Sequence, residues 1–91
     1  MNQIHAEAAH AQPLDPYQEL AIAVIKQAAY DYRAIARRLK RTGSSEERQR
    51  LSQEKESIRR FFLGQWYELL SGSDNGPVIL QLLDREVDGY D

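Results

Sequence analysis

The residues best suited to chemistry in this chain are its arginines and lysines. Arg33, Arg37, Arg38, Lys40 and Arg41 lie close together, and Arg48, Arg50 and Lys55 follow just beyond Gly43. Guanidinium groups gathered on one surface pair with phosphates, and nearby aromatic rings such as Tyr30 or Tyr32 give bases a face to stack on. Arg33, Arg37, Arg38, Lys40, Arg41, Arg48 and Arg50 are therefore the candidates for nucleic-acid contact. Three features weigh against that use. The sequence pI is about 5.7, well below the basic value of nucleic-acid modules. Glu46, Glu47, Glu54 and Glu56 interleave with the arginines at spacings that favour ion pairs within a helix. No helix-turn-helix spacing is present. A solvated, salt-bridged helix face is the plainer account of this cluster.

Other chemistries find little to work with. There is no cysteine, so neither a disulfide nor a thiolate metal site can form. His5 and His10 are five apart, which does not match the i, i+4 spacing that puts two metal ligands on one helix face. Gly72, Gly76 and Gly89 fit no phosphate-binding glycine motif. The carboxylates are scattered, and no nucleophile has a base beside it. The expectation is a non-enzymatic protein with no metal and no cofactor.

The second candidate chemistry is apolar. Arg59-Arg60-Phe61-Phe62-Leu63-Gly64-Gln65-Trp66-Tyr67-Glu68-Leu69-Leu70 holds both phenylalanines and the one tryptophan. Apolar residues at Ile58, Phe62, Trp66 and Leu69 follow the spacing of a helix with one buried face. Leu63, Gln65 and Tyr67 then point away from the side that holds Phe62 and Trp66, and Leu63, Gly64, Tyr67 and Tyr30 are the candidates for binding a protein partner. Gly64 sits inside an expected helix at a cost of about 1 kcal/mol relative to Ala. It either allows close packing of Ile25 or a third helix, or marks a partner surface.

These residues must be positioned by helices. Asp15-Pro16-Tyr17-Gln18 is a helix start with a capping box and proline in the first turn. The helix is expected over residues 16–42, stopped by Gly43. Its apolar stripe includes Tyr17, Leu20, Ala21, Val24, Ala28, Tyr32, Ile35 and Leu39, widened by Ile22, Ile25, Ala29 and Ala36. Ser44-Ser45-Glu46-Glu47 is a second capping box, opening one helix expected over residues 45–71. So short a turn makes the two antiparallel. Folding about Gly43 pairs Ile35 with Leu51, Ala28 with Ile58, Val24 with Phe62, Leu20 with Trp66 and Tyr17 with Leu70. The turn residues 71–77 lead into a third helix expected over residues 77–87, capped by Asp74 or Asn75 and folded back over Ile22, Ile25, Phe61 and Trp66. The predicted core is Leu20, Val24, Ile25, Ala28, Ile35, Ile58, Phe61, Phe62, Trp66, Leu70, Ile79 and Leu83.

The fold class is thus all-α: a long antiparallel helical hairpin with a shorter third helix packed on its aromatic end. Residues 1–14 read as a flexible tail, residues 15–88 as one domain and residues 89–91 as an acidic tail. No run of about 20 apolar residues could span a bilayer, and Met1 to Gln12 has no basic or apolar signal-peptide region; a soluble, cytoplasmic protein is expected. The net charge of −2 is strongly partitioned, with −3 over residues 1–21, +6 over 22–60 and −5 over 61–91. So short a chain buries little surface alone, which makes a homodimer a plausible arrangement. Tyr30, Tyr32, Ile35, Leu39 and Leu51 near the turn would lack cover unless a second copy packed there.

The segment 21–33, together with Ile58 to Tyr67 and Gly76 to Leu83, resembles small helical proteins of prophages and mobile elements of Gram-positive bacteria. In those, a D-Y-R helix (here Asp31-Tyr32-Arg33) precedes an F-F-x-x-x-W segment (here Phe61-Phe62 to Trp66), an acidic-glycine turn and a short terminal helix. Gly64 and Pro77 depart from that pattern. The resemblance implies an accessory protein that acts by binding a protein partner, as an inhibitor or adaptor in the manner of anti-CRISPR proteins. The alternative is a nucleic-acid-binding accessory protein using the basic tip.

Overall fold

The structure, a computed structural model, describes residues 15–89. Among these are four helices and no strand: α1 (Pro16–Arg41), α2 (Ser45–Leu63), α3 (Gln65–Ser71) and α4 (Gly76–Asp88). The expectations for residues 1–14, including the two histidines, and for Tyr90 and Asp91 lie outside the described residues.

Local chemistry sets the first two helices. Asp15 caps α1, accepting from the Gln18 N–H at 2.8 Å, while the Gln18 side chain accepts from the Asp15 N–H at 3.3 Å. Ser44 caps α2, accepting from the Glu47 N–H at 3.2 Å. The return half of this second box does not form. Glu47 turns instead to the Thr42 hydroxyl and to Arg38, and the Ser44 N–H donates to Thr42 Oγ1.

The single helix expected over 45–71 is divided. Gly64 adopts an extended conformation (φ −101°, ψ 174°) and serves as C-cap of α2 and N-cap of α3. Its φ is open to any residue, but a Cβ there would lie only 3.0 Å from the Arg60 carbonyl oxygen, a tight approach to backbone, and 3.8 Å from that of Phe61. No atom of Ile25 or α4 lies within 4 Å of that Cβ position, so Gly64 breaks the helix and its close neighbour is the preceding turn, not another helix. The close-packing glycine is Gly76, where a Cβ would lie 1.8 Å from the Phe62 carbonyl oxygen.

Contacts between α1 and α2 run in opposite chain order, from Arg38 with Glu47 to Tyr32 with Lys55. The buried core consists of Tyr32, Phe62, Tyr67, Leu80 and Leu83, with Ile25, Ala28, Ala29, Ile58, Phe61 and Ile79 packed against it. Phe61, Phe62 and Tyr67 meet edge-on or tilted, with centroids 5.2–5.9 Å apart, the geometry aromatic quadrupoles favour.

Several expected core residues are elsewhere. Leu20, Val24 and Trp66 are exposed, while Ile35 and Leu70 are half-buried. The pairs Leu20–Trp66 and Val24–Phe62 therefore do not build the core. On α1 the buried line runs through Ala21, Tyr32 and Ala36, with Ile25 and Ala29 beside it. This line takes Ala21 and Tyr32 from the main stripe and Ile25, Ala29 and Ala36 from the set expected to widen it, leaving Ile22 exposed.

The path of α4 explains the shift. It begins against Phe62 and Tyr67, but it does not remain over the aromatic end. Asp84 meets Tyr32, Glu86 meets Arg33 and Asp88 meets Lys40, so the helix ends along the basic half of α1. Leu80, Leu83 and Val87 are the buried face of α4, and these acids accompany it along α1. Of the residues near the turn expected to lack cover without a second copy, Tyr32 and Leu51 are buried within the chain, Ile35 and Leu39 are half-buried and Tyr30 is exposed.

Candidate functional surface

The basic residues divide according to what holds them. Arg48 reaches back over the turn and donates to the carbonyls of Leu39 (3.3 Å) and Thr42 (2.7 Å). Those groups lie at the C-terminal end of α1, where carbonyls lack helical partners and a cation is favoured by the dipole. Arg38 and Arg50 both approach Glu47, at 2.7 and 3.7 Å, and Arg50 also pairs with Glu54 at 3.1 Å. The Thr42 hydroxyl and then Arg38 hold the Glu47 carboxyl below the usual carboxylate range, because both stabilise its charged form.

Arg33 is 3.0 Å from Glu86, and Lys40 is 3.4 Å from both Asp88 and the Val87 carbonyl. Arg37 is half-buried and is not free. Arg41 is exposed. A groove of about 480 Å³ beside the turn contains Arg37, Arg38 and Arg41, but Glu47 lies in it with them. The structure thus brings the seven candidates to one end of the molecule, and it commits most of them to intramolecular work. The capping role of Arg48 was not read from the sequence. Its signal was the three-residue turn, which leaves an arginine one turn into α2 within reach of the preceding helix end.

The protein-binding candidates also divide. Tyr67 is buried and donates a 2.6 Å hydrogen bond to Asn75 Oδ1. It is a core residue, contrary to its expected place on the surface. The physical reason is the break at Gly64, which resets the phase of α3 and turns Tyr67 inward while Trp66 swings out. Asn75 gives up its side-chain cap of α4 to hold this hydroxyl. Gly64 is half-buried. Leu63 and Tyr30 remain exposed.

What sequence reasoning missed is the apolar surface at the end away from the α1–α2 turn. Tyr17, Leu20 and Val24 of α1 are 66%, 60% and 37% exposed, and Trp66 and Leu69 of α3 are 59% and 71% exposed. Their spacings, i, i+3, i+7 and i, i+3, make each set one helix face, and α1 and α3 are in contact. Beside Leu69 runs a groove of about 620 Å³ lined by Gln65, Glu68, Gly72, Ser73 and Asp74. Scattered exposed apolar residues are ordinary; grouped ones mark sites of association.

Among the described residues no group of three or more His, Cys, Asp or Glu is placed to hold a metal ion, and no helix is long and apolar enough to cross a membrane. In comparison with known proteins, no family model matches the chain, and neither a curated protein nor a solved structure shows significant similarity to it.

Proposed function

We propose that this chain is a non-enzymatic accessory protein, of the kind carried by phages and mobile elements, that acts by binding a protein partner as an inhibitor or adaptor. Its scaffold is read as a long antiparallel hairpin of α1 and α2 with α4 laid along it. The observation that carries the reading is the set of large apolar side chains left in water at the end formed by α1 and α3, with Trp66 and Leu69 foremost. A chain this small has little apolar surface to spare, so leaving a tryptophan and several aliphatic residues outside a core it could have enlarged points to a use outside the fold. Large aromatic side chains are the usual anchors of protein interfaces.

The basic tip is the second reading, and its arginine-lined groove is the observation in its favour. It has the weaker support, because a phosphate would have to displace Glu47, Glu86 or a helix end from the cations that hold them.

The test is photo-crosslinking in cells from a reactive group placed at position 69, with position 41 as the control. A discrete protein adduct from position 69 alone is expected. Adducts with nucleic acid from position 41, and none from 69, would replace this reading with the second.

A further inference from the structure

The charge around the apolar end bears on what occupies it. Residues 15–25 and 61–78 carry Asp15, Glu19, Glu68 and Asp74, and not one lysine or arginine. Among the described residues Glu19, Glu68 and Asp74 have no ion-pair partner, whereas Glu47, Glu54, Glu86 and Asp88 elsewhere in the molecule are paired. Glu68 and Asp74 line the same groove as Leu69.

From this we infer that the surface carrying Trp66 and Leu69 receives a basic amphipathic helix of its protein partner, with apolar anchors against those two residues and lysines or arginines against Glu68 and Asp74. The inference rests on the protein-binding reading above and adds the chemistry of the partner. Two other occupants fit the charge less well. A second copy presenting the same end would set like charges against each other, which disfavours the contact. The chain's own residues 1–14 contain Glu7, two histidines and no lysine or arginine, so they offer these acids no permanent counter-charge. A helix supplying both apolar and cationic groups satisfies the whole surface, in the helix-on-apolar-face mode of recognition.

Trp66 is the sole tryptophan and stands on the surface in question, so its emission reports occupancy directly. The full chain would be titrated with helical peptides of about 20 residues, one patterned from Leu and Lys, one from Leu and Glu, and one from Leu and Gln. The Leu/Lys peptide is expected to move the emission to the blue saturably, and the other two to bind at least about tenfold more weakly. Exposed Leu69 and Glu68 supply the controls. Leu69→Lys and Glu68→Lys should each abolish the preference for Leu/Lys while leaving the far-ultraviolet circular dichroism unchanged.

Equal binding of the three peptides, or preference for Leu/Glu or Leu/Gln, would overturn the basic partner while leaving the surface in place. No shift with any peptide would overturn the docking site and the reading beneath it together. An emission already blue in the free chain would also overturn the proposal: if it varied with protein concentration, a second copy is the occupant, and if it did not, the chain covers its own surface.

Discussion

Tyr32 and Asp84, separated by 52 residues in the chain, are joined by a 2.5 Å hydrogen bond in which the tyrosine hydroxyl donates to Asp84 Oδ1. Tyr32 is fully buried on α1, with the Lys55 ammonium of α2 5.6 Å from its ring centroid, while Asp84 belongs to α4. Three helices therefore meet at one side chain. Burial, reinforced by the Asp84 hydrogen bond and opposed by Arg59, pushes the phenol up to about 12.

The sign of the resulting pH dependence is definite. A group whose pKa is raised on folding contributes stability that is complete below its unfolded value, here 10.0, and that is lost as pH rises toward the folded value. Stability should therefore fall between pH 10 and pH 12. A tyrosinate absorbance titration should show Tyr32 ionising late, together with loss of helical circular dichroism. Tyr32→Phe should remove the late step and cost about 1–2 kcal/mol in urea unfolding, since it leaves Asp84 without its donor. An unchanged alkaline limb in the variant would show that the bond does not hold α4.

Gly76 should be intolerant of any side chain. Its missing Cβ is the space in which the Phe62 carbonyl lies, and backbone cannot yield as a flexible side chain does. Gly76→Ala must push α4 away from α2 and should cost about 3 kcal/mol or more. Gly72, at φ +72°, caps α3 in the left-handed region but has open space around it, so Gly72→Ala should cost only about 1 kcal/mol. Thermal melts of the two variants should differ clearly, with the larger loss at Gly76.

This ranking of glycines also shows what the sequence made legible. The helix starts at Asp15 and Ser44 could be read because capping is local, confined to residues three apart. The all-helical character followed from periodicity, and Phe62, Leu83 and the flanking Ile25, Ala28, Ile58, Phe61 and Ile79 were placed in or against the core. The face of α1 was harder to choose, since two adjacent apolar stripes compete and only the course of α4 decides between them. That course is made of contacts between residues about fifty apart, such as Tyr32 with Asp84 and Arg33 with Glu86, which leave no periodic trace. The break at Gly64 carried a signal in the glycine itself. Its consequence, exchange of Tyr67 for Trp66 in the core, required knowing that the helix stops there and does not continue through it.

Glu47 sets the acid side of the stability curve. It accepts from Thr42 and is approached by Arg38 and Arg50, so its pKa is depressed in the folded state. A depressed carboxyl contributes stability that is present above its unfolded value, here 4.5, and lost as pH falls through the folded value. Glu47→Gln should flatten the decline in stability below about pH 4.5. It should leave stability at neutral pH little changed, because the site is solvated. Urea midpoints compared at pH 3, 4, 5 and 7 would reveal this. An acid limb of the same steepness in the variant would assign it to the paired acids of α4.

The exchange of Trp66 and Tyr67 gives the most direct check on which side of α3 faces the core. Phe62 and Tyr67 are buried, whereas Trp66 is more than half exposed. Truncating a buried aromatic residue removes its transfer energy and leaves a cavity, typically costing about 3–5 kcal/mol. That loss is comparable to the whole stability of a domain this size. Phe62→Ala and Tyr67→Ala should therefore be largely unfolded, with Tyr67→Ala also releasing Asn75. Trp66→Ala, although it deletes the largest side chain in the protein, should lose no more than about 1 kcal/mol in the isolated chain. Its cost should appear on addition of the Leu/Lys peptide, as weakened binding followed by calorimetry. If Trp66→Ala instead unfolded the chain, the indole would belong to the core and the apolar end would not be a surface.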